Sequence, residues 1–180
     1  MSATINLIRE VHIRNYKSLA QVVVPLNRLT GLVGPNGSGK SNFTDALRFI
    51  TDALNSTPSL AIKQRGGIGA VRRISIGHPH TFGIRVKMSL GDAVSADFSF
   101  EIASAPDGNF LVRRERCVVK RVFAEDLYEV QNGTFTTQVP GIRAKIEPDR
   151  FALTIVSAVA EFRPVFDFLS RMRSSLRTLG

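Results

Sequence analysis

The chain has 180 residues, 43% of them hydrophobic, which suits the core of one ordinary domain and excludes a disordered tail. Its 24 Lys and Arg against 15 Asp and Glu leave a formal net charge of +9, the footprint of something that meets an anionic partner. Cys117 is the lone cysteine, and the most apolar window, Phe151 to Phe162, is broken by Glu161 and short of the ~18 residues of a membrane span. With no basic-then-apolar leader, a reducing cytoplasmic setting is expected, without disulfides, cysteine-rich zinc or a membrane.

Residues 5–15 (INLIREVHIRN) and 20–26 (AQVVVPL) read as two strands joined by a tight connection, and Arg28 to Val33 (RLTGLV) as a third. From Ser41 the apolar positions Phe43, Ala46, Leu47, Ile50 and Leu54 follow helical spacing. Asn55 to Gly69, with Pro58 and several glycines, predicts an irregular excursion holding at most one helical turn. A period of two follows, predicting strands at 70–76, 82–90, 94–103, 110–122, 127–131 and 134–139. Turn signals at GDA, APDGN and above all Asn132-Gly133 separate them. After Pro148, Asp149 is a candidate N-cap for a helix over 150–160, and Pro164 opens a last helix running to about Leu179.

Gly34-Pro35-Asn36-Gly37-Ser38-Gly39-Lys40-Ser41 has the form GxxxxGK(S/T), placed between the third predicted strand and the first helix. Glycines let successive N–H groups curl inward on phosphate oxygens, an approach that side chains would block. Lys40 is the cation placed to reach the β- and γ-phosphates, Ser41 is the expected Mg²⁺ ligand, and the helix start aims its positive end at the same anion. With Asn42 these residues are the candidate nucleotide contacts, and Lys40 is the candidate for a catalytic role. ATP and Mg²⁺ are the expected cofactors.

Residues 11–50 resemble the N-terminal half of the SMC/RecF/OLD group of ABC-type ATPases, through NYKSL at 15–19, GPNGSGKSN at 34–42 and the helix FTDALRFI. The resemblance implies an α/β P-loop NTPase fold: an ABC-type N-terminal lobe with a mixed sheet beside an antiparallel β-meander. One partial head is then expected over 1–180, with strands, phosphate loop and helix at 1–55, the β-subdomain at 56–140 and a helical segment at 141–180. It further implies that Lys17 contacts the nucleotide, although a solvated strand-end lysine reads equally well. A glutamine after the meander would sense Mg²⁺ and the attacking water. Gln138 is best placed for that, with Gln64 and Gln131 as competitors. In such heads the loop of one copy is closed over by the signature motif of another, so self-association or a C-terminal ATPase lobe is the expected partner.

Hydrolysis in that group also needs an apolar strand ending in Asp-Glu and an LSxGx-type signature. Neither occurs here: Glu125-Asp126 follows KRVFA in the reverse order, and FLSRMRSSL has no signature glycine. Enzyme activity by this chain alone is therefore left open. His78 and His80 flank Pro79 without further metal ligands at short spacing. Arg113, Arg114, Arg116, Lys120 and Arg121 crowd one predicted strand, read as a solvated edge or, functionally, as a contact to the DNA backbone. Phe162, Phe166 and Leu169 form an apolar helical face expected to lie uncovered and drive self-association. A P-loop kinase or GTPase, a DNA-binding module with a vestigial loop, and a regulatory protein that binds nucleotide without turnover are the alternatives.

Overall fold

A computed structural model describes residues 5–28, 30, 32–74, 80–105 and 108–172. Its strands are β1 (Leu7–Tyr16), β2 (Leu19–Pro25), β3 (Thr81–Leu90), β4 (Val94–Ser104), β5 (Phe110–Arg121), β6 (Ala124–Gln131) and the two-residue β7 (Thr134–Phe135). They form one seven-stranded sheet in the order β2-β1-β3-β4-β5-β6-β7, with every pairing antiparallel. Strict alternation makes this possible: along β3, Phe82, Ile84, Val86, Met88 and Leu90 are buried while the residues between them are half-exposed. The Asn132-Gly133 hairpin forms as expected, with φ of 48° and 78° at its two central residues.

Helices cover only the apolar face of the sheet. They are α1 (Lys40–Asn55), α2 (Pro58–Lys63), α3 (Ile68–Val71), α4 (Leu153–Val156) and α5 (Arg163–Arg171). The stripe Phe43, Ala46, Leu47, Ile50 and Leu54 of α1 is buried as its spacing predicts. Phe49 of that helix meets Phe82 edge-on at 5.6 Å, Phe100 lies 4.7 Å from Phe151, and Tyr128 meets Phe162 at 5.2 Å. This aromatic chain joins α1, the sheet and the C-terminal helical segment in one core.

Several expectations change. Arg28 to Val33 joins no ladder among the described residues, so the parallel component of a mixed sheet is contributed by none of them. The excursion after α1 holds two helices rather than at most one turn, because Thr57 caps α2 through Leu60 N–H and Pro58 sits at its first turn. Ala70 and Val71 belong to α3, and Arg72 meets Tyr16 in an isolated bridge rather than a strand. Asp149 caps no helix: α4 is one turn long and starts at Leu153. Strand β5 is interior, flanked by β4 and β6, and its basic residues pair across strands with Glu101, Glu129, Glu125 and Asp126. The register shift at Glu101/Ile102 makes room for Arg113 outside the alternation. Phe162 and Leu169 are buried in the chain's own core, where α5 docks on α1 through Thr51 Oγ1 to Leu169 O (3.0 Å) and Asn55 Nδ2 to Ser170 O (2.7 Å). Two of the three residues expected to drive self-association are thus already covered, and Phe166 is half-buried against the same core. His78 and the chain beyond Met172 lie outside the described residues.

Glu115 is a buried carboxylate in the middle of β5. Its oxygens accept from Tyr128 OH (2.6 Å), Ala152 N (2.7 Å) and Leu153 N (2.8 Å), so it fastens the start of α4 to the sheet. Burial pushes its pKa from 4.5 up to about 7, and the three donors oppose that rise. Between those two values the folded chain holds a proton that the unfolded chain has released, so this group's contribution to stability falls as pH rises through the interval. The melting temperature should accordingly drop more steeply between pH 5 and pH 8 for the wild type than for Glu115→Gln. Parallel profiles would contradict this assignment.

Candidate functional site

The glycine loop ends at the N-terminus of α1. Gly39 is the N-cap residue, in the left-handed region at φ 94° and ψ 2°, and no side chain caps this end. The first intrahelical bond runs from Phe43 N to Gly39 O at 2.8 Å, so the N–H groups of Lys40, Ser41 and Asn42 precede the helical ladder. A 16-residue helix with an open first turn offers an anion both N–H donors and the positive end of its dipole.

Lys40 lies across the loop. Its Nζ donates to Gly34 O (2.5 Å), Pro35 O (2.8 Å) and Ser38 Oγ (3.4 Å). Ser38 N closes a turn onto Pro35 O at 3.2 Å, and Gly37 adopts φ 83°. A Cβ on Gly37 would meet nothing within 4 Å, whereas one on Gly39 would stand 2.8 Å from Leu19 Cδ2. Gly37 therefore borders open space, and Gly39 is pressed against the connection between β1 and β2. Gly34, Pro35, Asn36, Gly37, Ser38 and Ser41 are exposed, while Gly39 and Lys40 are half-buried. An exposed hydroxyl at Ser41, one ammonium and a glycine-walled turn form a donor set that fits a phosphate with its Mg²⁺.

The β1–β2 connection is strained and multiply tied. Asn15 and Lys17 have φ of 54° and 48°, conformations that cost a non-glycine residue about 1 kcal/mol or more each. The strain is held by Lys17 N to Val71 O (2.7 Å), Arg73 N to Asn15 O (2.8 Å) and Asn15 Nδ2 to Thr81 O (3.2 Å). Ser18 Oγ accepts from Asn42 Nδ2 at 2.7 Å, which commits Asn42 to the turn. Lys17 Nζ pairs with Asp45 Oδ2 at 2.7 Å, and the same oxygen accepts from Tyr16 OH at 2.7 Å. Arg65 adds Nε contacts to both Asp45 oxygens, at 3.1 and 3.2 Å, and reaches Asp52 at 2.8 Å. Burial alone would raise the Asp45 pKa, but Lys17, Tyr16 and Arg65 outweigh it and hold the carboxyl below its ordinary value.

Of the expected nucleotide contacts outside the loop, Lys17 reaches Asp45 in the second turn of α1 and Asn42 donates to Ser18. Gln138 is exposed beyond β7, with four strands between β7 and β1, and is not brought to the loop. Gln64 ends α2, and Gln131 donates to Glu129 at 2.8 Å on the far side of the sheet. The pairing of Asp45 with Arg65 has no sequence signal, since no spacing rule links a residue in α1 to one 20 positions on, in the turn after α2. Among the described residues no group of His, Cys, Asp and Glu has metal-binding geometry. The sheet's open face carries concavities of about 430 and 330 Å³. In the larger one Arg85, Lys87, Arg116 and Lys120 pair with Asp97, Glu10, Glu129 and Glu125, and Arg9 donates to Ser89 Oγ, so its cations are already engaged.

The AAA ATPase domain family matches residues 7–105. The chain belongs to this family. Stretches of it are similar to structural maintenance of chromosomes protein 1B from Mus musculus (45% identical over 53 residues, 28% of this chain and 4% of that protein). The corresponding figures for the Homo sapiens protein 1B are 52% over 40 residues, 21% and 3%. The matched stretches thus span only about 4% of the length of these curated relatives. Among solved structures, an SMC ATPase studied for ATP-driven dimerization and DNA-stimulated activation is 20% identical with TM-score 0.45, covering 72% of each chain. The recombination mediator protein RecF-ATP is 14% identical with TM-score 0.37, covering 72% of this chain and 28% of its own. The resemblance to SMC proteins read from residues 11–50 is borne out. No described helix is long and apolar enough to cross a membrane.

The two glycines separate backbone conformation from packing. Gly37→Ala should cost about 1 kcal/mol through its positive φ, and Gly39→Ala about 2 kcal/mol or more through φ and overlap with Leu19. Urea unfolding of both variants measures this, and equal losses would contradict the contact between Gly39 and Leu19.

Proposed function

We propose that this chain binds ATP or ADP with Mg²⁺ at the glycine loop. The observation that carries the reading is the open first turn of α1 behind Gly39, with Lys40 folded across the loop onto Gly34 and Pro35. In that reading the N–H groups of residues 36–41 cradle the phosphates, and Lys40 exchanges its loop carbonyls for phosphate oxygens. The Ser41 hydroxyl holds the metal, which supplies charge neutralisation between phosphates. Lys17 adds a second cation at the edge of the same site.

Membership in the AAA ATPase domain family and likeness to chromosome-maintenance proteins support ATP as the nucleotide. They also support a wider role in which nucleotide binding serves DNA maintenance, repair or phage defence, with self-association or a second ATPase lobe completing the site. The ion-paired face of β5 gives a DNA-backbone contact there little to work with, because each basic side chain already has a carboxylate partner.

Titration of a fluorescent ATP analogue tests the reading: the wild type should bind and Lys40→Ala should not. Equal affinities would reject it. A phosphate-release assay on the same chain should show negligible turnover, because the sequence has no Asp-Glu strand end and no signature motif to place the water. Several turnovers per minute, abolished by Lys40→Ala, would instead favour the kinase or GTPase alternative.

A further inference from the structure

Asp45 has a role that neither the glycine loop nor the family match assigns. It stands four residues into α1 from Ser41, about 6 Å along the helix axis from the loop. Three side chains from two segments remote in sequence converge on its carboxylate: Tyr16 OH and Lys17 Nζ from the β1–β2 turn, both at 2.7 Å, and Arg65 Nε from beyond α2, at 3.1 Å. Asn42, one turn earlier on the same face, donates to Ser18 of that turn. The turn in question carries the two positive-φ residues Asn15 and Lys17, and Leu19 beside it is what Gly39 packs against. A strained connection of this kind persists only when its surroundings over-determine it.

We infer that Asp45 is a positioning residue for the phosphate site: by anchoring Tyr16 and Lys17 it keeps the strained β1–β2 turn seated on Gly39, and so fixes the phosphate loop and the edge cation Lys17 in their places. The inference rests on the nucleotide reading of the loop. Two side-chain cations, Lys17 and Arg65, meet at this one carboxylate, and Arg65 is only 9% exposed. Without the carboxylate they would repel each other and the turn would lose two of its anchors.

The sign of the effect separates positioning from plain electrostatics. Removing a negative charge near a phosphate site favours an anion, so charge alone predicts that Asp45→Asn binds ATP more tightly. Positioning predicts the reverse. Affinity for the fluorescent ATP analogue is measured for the wild type, Lys40→Ala, Asp45→Asn, Lys17→Met and the Asp45→Asn/Lys17→Met double variant, each checked for folding by circular dichroism. The expected result is about tenfold weaker binding for folded Asp45→Asn, with the double variant little weaker than either single one, since the two residues act as a unit. If Asp45→Asn does not fold, Tyr16→Phe carries the test: it deletes one donor to Asp45, keeps the ring and leaves every charge, and should bind about threefold more weakly. Unchanged or tighter binding by Asp45→Asn, or unchanged binding by Tyr16→Phe in its place, overturns the inference alone if Lys40→Ala still abolishes binding. No binding by the wild type overturns the phosphate-loop reading, and this inference with it.

Discussion

Helix α1 works under two opposed constraints, and the rest of the structure depends on how they are met. Its body must be sealed, and nine of its sixteen residues are buried against the sheet, α2 and α5. Its first turn stays open, with no side-chain cap at Gly39 on the N–H groups that the proposed nucleotide site would use. Glycine at position 39 resolves the conflict by supplying the left-handed turn without a capping oxygen. The cost is a helix start that the loop itself cannot hold, and the β1–β2 turn takes over that task from the side.

The ion pairs divide by what surrounds them. On the open face of the sheet, Lys120 and Glu125 pair at 3.0 Å with both side chains half-exposed or more, and a pair of that kind is worth at most about 1 kcal/mol. Such pairs keep the face soluble and set cross-strand register. The Asp45 cluster is different in kind: Arg65 is almost wholly covered, stacks its guanidinium 5.4 Å from the Phe49 ring centre, and is shared between Asp45 and Asp52. Breaking one arm of it leaves charge in a partly dry place, which is far more costly than losing a surface pair. Glu115 does the equivalent service at the other end of the sheet, where it ties α4 to β5. The two carboxylates, Glu115 buried and Asp45 half-buried, thus fasten helical segments to opposite parts of one sheet.

The meander was legible because a sheet with one covered face imposes a period of two, and Phe82 to Leu90 or Val94 to Ala103 show it without interruption. The loop was legible because its chemistry demands particular residues at fixed offsets. Other features were hidden for physical reasons. Composition can say that Arg28 to Val33 is fit to be a strand but not that a neighbour will pair with it. Ala70 and Val71 are coiled into α3 after Gly67, which adopts φ 91°, and apolar content alone does not reveal that turn. The cations of β5 looked like an edge because sequence shows charges and not their partners, which lie on β4 and β6. Asp45 was invisible for the same reason: its meaning lies wholly in Tyr16, Lys17 and Arg65.

The central claim is that phosphates meet the backbone of residues 36–41, and amide resonances report on it directly. In a nitrogen-labelled sample titrated with ATP and Mg²⁺, the account predicts that the amides of Gly37, Gly39, Lys40 and Ser41 shift most, while those of Asn132 and Gly133 stay still. Loop amides that do not move, with the largest shifts instead along Arg85, Lys87, Arg116 and Lys120, would place the anion on the open face of the sheet and contradict the account.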